Sequence, residues 1–324
     1  MTTVELVTTS IDLPDIPPAL PTLLSVDLDG PFPVVALGSL LAAAWYLAAV
    51  GRSRAQGRPW PRHRTASFLA GCLVTGAVTG LQIDSYGYAL FSVFVFQHLT
   101  LSMAVPPLLV LGSPGRLFLR ATPHRGIGRH LLRYALTALR SRTAAALVHP
   151  AMTIPLFLFS YYGLYLTPLF DFLSGSRAGH VGMELFFLGS GILFILPILA
   201  TGPVPGRHSN LGRFFELFVE MPLHVFFGLF LMMATTPLLS TFSNPPASWN
   251  IDPMDDQQLA GGLAWSYGEP VAVFVIIVFA TRWRRDEARS NGLADRRMKE
   301  VGNVDLDAYN SYLRDLSRGA QRRT

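Results

Sequence analysis

The stretch ALFSVFVFQHLTLSMAVPPLLVL, residues 89–111, decides the fold. It carries no Asp, Glu, Lys or Arg, and as a helix it is long enough to cross a hydrocarbon layer of about 30 Å at 1.5 Å per residue. Gln97 and His98 are the conspicuous polar pair inside it. Working outward, similar apolar runs cover Phe32 to Val50, Thr65 to Leu81, Ala151 to Leu169, His180 to Leu199, Pro222 to Leu239 and Tyr267 to Thr281. The pattern predicts an all-α polytopic membrane bundle of seven transmembrane helices. Composition agrees, since 50% of the 324 residues are hydrophobic and 15% charged, against about 25% charged in soluble domains.

The basic residues set an expected orientation. Arg52, Arg54, Arg58, Arg62 and Arg64 follow the first run. Arg116, Arg120, Arg125, Arg129, Arg133, Arg140 and Arg142 follow the third, Arg207 and Arg213 the fifth, and the remainder crowd the tail. With seven spans, all of the 26 Lys and Arg except Arg177 fall on one face. By the positive-inside rule the N-terminus is outside and the C-terminus cytoplasmic, in the cell membrane. The same distribution argues against nucleic acid as a partner, despite a net charge of +5. The outer face would collect Glu5, Asp12, Asp15, Asp27, Asp29, Asp84, Asp171, Asp252, Asp255 and Asp256.

Three regions follow. Residues 1–31 read as an external segment, extended by Pro14, Pro17, Pro18 and Pro21 and lacking the basic and apolar parts of a signal peptide. Residues 32–281 are the membrane domain, whose connection 116–149 places Leu131, Leu132, Leu136 and Leu139 beside arginines, as suits a helix lying on membrane lipids or a plain solvated connection. Residues 282–324 form a basic tail. There Leu306, Tyr309, Leu313 and Leu316 mark a short helix from about Asp305, which docks on the protein's own cytoplasmic face or on a partner.

Cys72 is the sole cysteine, which excludes a disulfide framework or a thiolate cage. There is no phosphate loop, nucleophile elbow or zinc-protease motif, so no enzyme is expected. Ionisable groups in a bilayer are costly, and each needs a reason. His98, His180, Glu184 one turn below it, Met183, Met232, Met233 and Glu269 all fall in the expected outer half. His224 lies about 21 Å below the expected outer end of the sixth span, too deep to join them. Imidazole, thioether and carboxylate together suit copper, and thioethers favour Cu(I). An interhelical hydrogen bond is the other use of such a histidine. Two external features are more specific than spacers: Tyr161 to Asp171, including Tyr165, and Asp256 to Pro270, where Gly261 and Gly262 permit a tight re-entry and Trp265 suits an interfacial belt.

At these residues the chain resembles the CtaG-type cytochrome c oxidase assembly factors, over roughly Phe32 to Thr281. The resemblance rests on Gln97-His98 followed by Pro106 to Gly112, on His149-Pro150, on Tyr165 to Leu169, on His180 before Phe186-Phe187-Leu188, on Met221 to His224 with Gly228, and on Asp256 to Pro270. It implies a non-enzymatic assembly factor that partners haem-copper oxidase subunits and presents copper to the catalytic subunit at the outer side. A permanent accessory subunit and a cation or proton transporter are the alternatives. Phe94 and Glu184 stand where the family commonly carries histidine, which implies weak or transient copper binding.

Overall fold

The computed structural model describes residues 13–26, 33–199, 210–301 and 304–321. Arg207 and most of the expected external segment, with Glu5, Asp12, Asp27 and Asp29, lie outside the described residues. Two compact units result, Met1–Ile276 and Ile277–Thr324.

All regular structure among the described residues is helical. The order is α1 Leu20–Leu23, α2 Val34–Ala55, α3 Arg62–Val78, α4 Gln82–Gly87, α5 Phe91–Leu99, α6 Val105–Leu111, α7 Pro114–Ala121, α8 Ile127–Leu139, α9 Arg142–Leu147 and α10 Pro150–Leu158. Then come α11 Leu169–Ser174, α12 Arg177–Leu199, α13 Asn210–Met233, α14 Pro253–Ser266, α15 Gly268–Val301 and α16 Val304–Gln321. Five helical stretches are long and apolar enough to cross a membrane: Val34–Ala55, Phe91–Ala121, Arg177–Leu199, Leu211–Met233 and Pro253–Leu293. The other two expected spans are shorter as helices. α3 has 17 residues, and α10 passes after nine residues into a π-helical turn, Phe159–Gly163.

Several expectations need correction. The sixth helix begins at Asn210 and ends at Met233, not at Leu239. Pro222 is carried inside it, whereas Pro237 follows its end, where proline disfavours helix in the residue before it. The shift puts His224 nine residues, about 13 Å, from the C-terminal end of this helix. The run Asp256 to Pro270 makes no re-entrant turn at its glycines, because α14 is continuous through them. They serve packing instead. A Cβ on Gly228 would lie 2.7 Å from the Gly261 carbonyl oxygen, and a Cβ on Gly261 2.7 Å from that of Gly228. Bare backbones therefore touch where α13 crosses α14, the small-residue contact typical of membrane helices. In the N-terminal segment Pro21 sits in the first turn of α1 rather than in extended chain, a position where its missing N–H costs nothing. The Tyr86 hydroxyl and Trp249 indole donate to the carbonyls of Ile16 and Pro14 at 2.7 and 3.1 Å, fastening this segment over α4.

On the arginine-rich side, α2, α3 and α7 close over a ring cluster. Tyr46 stacks on Phe68 at 4.1 Å, accepts from the Trp60 indole at 2.9 Å and donates to the Gly112 carbonyl at 2.8 Å. Cys72 is part of the same apolar cluster.

The deciding stretch is one helical path with a π-helical turn, Thr100–Ala104, between α5 and α6. Pro106 and Pro107 explain it, since neither can donate to a carbonyl one turn back. The Ser102 hydroxyl donates to the His98 carbonyl and the Thr100 hydroxyl to that of Phe96, each at 2.7 Å. α12 is pressed onto this turn, because a Cβ on Gly191 would lie 2.1 Å from the Ser102 carbonyl oxygen. π-helical turns of this kind gather at functional sites.

Within the second unit the predicted tail helix is present as α16, with Tyr309, Leu313 and Leu316 exposed.

Candidate functional site

The most concentrated chemistry lies where α4, α5 and α12 meet. His180 and Glu184, one turn apart on α12, share one face, and α4 brings Asp84 against both. One ligand atom from each of Asp84, His180 and Glu184 lies within 4.8 Å of the others. His180 Nε2 is 3.2 Å from Asp84 Oδ1. The Gln97 amide donates to the same Oδ1 at 2.9 Å and to the Val78 carbonyl at 2.7 Å. Gly87 makes room for that amide, since a Cβ there would meet Gln97 Oε1 at 2.2 Å. Tyr88 stacks on the His180 ring at 3.9 Å, and its phenol is held above the usual range by burial first and by the Asp84 and Glu184 carboxylates next.

His180 and Glu184 are 2% and 4% exposed. Glu184 Oε1 is buried without a hydrogen-bond partner among the described residues. Two carboxyl groups so close in a dry site share a proton or pair with a cation. The arrangement can therefore hold a shared proton or coordinate a metal ion. Asp84 is the residue that sequence reasoning missed as a site member. It follows an apolar run and had the look of an outer-face charge, yet its side chain is only 15% exposed. The neighbouring Gln82-Ile83-Asp84-Ser85-Tyr86-Gly87, with an acidic residue in its first turn and Ile83 and Tyr86 buried, carried a weak signal of an inward-packed helix.

His98 stands outside that set. Its Nδ1 is 2.9 Å from the Tyr165 hydroxyl, and its ring stacks on Phe187 at 3.9 Å beside Tyr161 at 4.7 Å. Phe94 touches the His180 ring at 5.5 Å and the Phe187 ring at 5.9 Å, so aromatic rings link the two imidazoles. Hydrogen bonding across the bundle is what His98 does here, although its Nε2 has no partner among the described residues.

The remaining candidates are dispersed. Met183 is fully buried, whereas Met233 is 72% exposed. Met232 packs on α14, its Cγ 2.6 Å from where a Gly261 Cβ would stand. His224 approaches α15, with Nε2 2.5 Å from the position of a Gly268 Cβ. The His149 ring caps α10 by accepting from the Ala151 amide at 3.2 Å. Glu269 is exposed in the first turn of α15, where a negative charge suits the helix dipole, and Trp265 is half exposed. Asp171 accepts from the Thr241 hydroxyl at 2.7 Å and amide at 3.3 Å. Burial pushes the Asp171 carboxyl up, and the hydroxyl and amide groups of Thr241 and Ser240 pull it down by more, leaving it below its usual range.

Asp256, expected on the outer surface, is buried. It accepts from the amides of Phe91 at 2.6 Å and Ser92 at 3.3 Å and from the Ser92 hydroxyl, so α14 caps the start of α5. Its neighbour Gln257 accepts from the Leu238 amide at 2.8 Å and donates to the Thr236 carbonyl at 3.3 Å.

The family model described as cytochrome c oxidase caa3 assembly factor matches residues 44–286. The chain is also similar to uncharacterized proteins of Mycobacterium bovis and Mycobacterium tuberculosis, each 37% identical over 290 residues, which is 86% of this chain and 44% of theirs. An uncharacterized protein of Mycobacterium leprae is 37% identical over 279 residues, 84% of this chain and 42% of its own length. The chain thus spans less than half the length of these curated relatives. No solved structure matches.

Proposed function

Because the chain belongs to the cytochrome c oxidase caa3 assembly factor family, we propose that it supports maturation of a haem-copper oxidase by presenting copper to the catalytic subunit from the outer side of the cell membrane. Copper in this reading is cargo. The observation that carries the reading is the family match itself, which takes in the whole polar interior from Asp84 to Asp256. The chain acts without catalysis of its own, by holding an ion and binding oxidase subunits while they are assembled. A permanent accessory subunit and a cation or proton path remain the competing roles.

A strain lacking the protein should, under copper limitation, make oxidase subunits at normal levels and assemble about tenfold less copper-loaded, active enzyme. Unchanged oxidase activity and copper content would end the reading. Stoichiometric recovery of the protein with mature oxidase would favour the permanent subunit instead.

Presentation from the outer side also needs the proposed topology: seven spans, N-terminus outside, C-terminus cytoplasmic. Its support is the arginine asymmetry, which puts every Lys and Arg except Arg177 on one face when seven spans are counted. A Ser174→Cys variant, made in a Cys72→Ser background, should react with an impermeant thiol reagent added to intact cells. Reaction only after the cytoplasmic side is opened would reverse the orientation.

A further inference from the structure

Asp84, one of the charges expected on the outer face, lies against His180 and Glu184 instead, and it changes which metal chemistry the interior supports. We infer that Asp84, His180 and Glu184 form a binding site for a divalent transition-metal ion, Cu(II) or Zn(II), and that Gln97 positions Asp84 as a ligand. The inference rests on the copper-handling reading for the identity of the cargo, but not for the existence of the site.

The donor set makes the first argument. One imidazole nitrogen and two carboxylate oxygens are borderline-to-hard donors, suited to Cu(II) or Zn(II) and poorly suited to Cu(I), which prefers thiolate and thioether sulfur. The three clustered side chains themselves supply only nitrogen and oxygen donors.

Charge makes the second. Two carboxylates and a divalent ion sum to zero, which removes the penalty of placing like charges together in an apolar interior. Glu184 Oε1, buried and without a partner among the described residues, then has a bond to make. An unsatisfied buried oxygen is expensive to keep for no purpose.

Geometry makes the third. Ligand atoms around a tetrahedral ion at about 2.1 Å stand roughly 3.4 Å apart. The three atoms here lie within 4.8 Å of one another, and His180 Nε2 is already 3.2 Å from Asp84 Oδ1. Small side-chain rotations close the difference. The support around the ligands is also in place. Gln97 donates to Asp84 and is itself anchored on the Val78 carbonyl, the outer hydrogen bond that metal-ligating carboxylates use. Tyr88 lies flat on the imidazole and Phe94 meets it edge to face, limiting how far the ring can turn. With three protein ligands a fourth position stays open, which suits an ion that must be handed on rather than locked in.

The test uses the full-length protein in detergent, stripped with a chelator and desalted. Cu(II) and Zn(II) are each titrated against a chromogenic chelator, and melting is followed with and without metal. Wild-type protein should take up about one equivalent and melt several degrees higher when loaded. Glu184→Gln and Asp84→Asn should weaken binding at least tenfold and lose the thermal shift. Gln97→Leu should weaken it about tenfold, the scale of losing a supporting hydrogen bond. In the Cu(II) electron paramagnetic resonance spectrum, coupling to one imidazole nitrogen should vanish in His180→Ala.

Equal affinity in wild type and Glu184→Gln overturns the site, as does no uptake at micromolar metal by wild type. Loss of binding in His98→Ala with retention in Glu184→Gln would transfer the ion to a different set and overturn it equally. The metal-free melting of each variant reports whether it is folded. Binding is measured without any oxidase, so a metal-free result together with a clear deletion phenotype would leave the assembly role standing and remove only this site.

Discussion

Asp256 and Glu184 are both carboxyl groups buried in an apolar bundle, yet their surroundings are opposite. Asp256 accepts from two backbone amides and a hydroxyl at the start of α5, where the exposed amides of a helix N-terminus favour a negative charge. Every role it has is spent on joining α14 to α5. Glu184 lies beside Asp84 and His180, with one oxygen left unpartnered among the described residues. Polarity inside a membrane protein thus comes in two kinds. One is consumed by the fold, and the other is left over for something that binds.

The same division runs through the glycines and prolines. Gly228 and Gly261 let two helices touch, a structural use. Pro106 and Pro107 follow a π-helical turn beside His98, where the Ser102 and Thr100 hydroxyls add bonds to the His98 and Phe96 carbonyls. That second region is more irregular in backbone and richer in aromatic contacts than the α13–α14 crossing.

The first prediction tests the consumed charge and carries the largest expected effect. Asp256→Asn keeps the shape but replaces one acceptor oxygen by an amide donor that would face the Phe91 and Ser92 amides. Loss of charge-assisted bonds to buried donors should cost about 2 to 4 kcal/mol, seen as a clear fall in the metal-free melting temperature in detergent. Melting like the wild type would mean that the cap at α5 is not what holds α14 in place, and the contrast with Glu184 would collapse.

The sequence made much of this architecture legible. Apolar length located five stretches long enough to cross a membrane, and the arginine asymmetry supplied an orientation to test, because both are read by counting along the chain. His180 and Glu184 were visible as a pair because helical spacing puts them on one face. Asp84 was not, because its role depends on α4 folding back beneath the end of α5, a tertiary event with no periodic signature in six residues. Pro222 misled as a helix start because proline is acceptable both at a first turn and, in a membrane helix, within one. Gly261-Gly262 misled in the same manner, since glycine serves turns and close helix crossings alike, and only the partner helix α13 distinguishes them.

The second prediction concerns the leftover charge and is expected to be close to zero, which is its value. Glu184→Gln removes an ionisable group from a site where Asp84 already competes for the same proton or cation. If Glu184 were a structural residue like Asp256, its amide would cost a comparable 2 to 4 kcal/mol in metal-free protein. If it is held ready for an ion, the metal-free variant loses no bond through Oε1 and its amide can donate to Asp84 in place of the shared proton, so its stability should match the wild type within about 1 kcal/mol. The comparison is made on chelator-treated protein in one detergent, melting Asp256→Asn and Glu184→Gln side by side. A loss in Glu184→Gln as large as that in Asp256→Asn would place both carboxyls among the groups consumed by the fold, and no leftover polarity would remain to explain. A neutral or stabilised Glu184→Gln beside a damaged Asp256→Asn would instead show a protein that bears an unfavourable buried carboxyl in its resting state, an arrangement that persists in a fold when the group has work to do on a ligand.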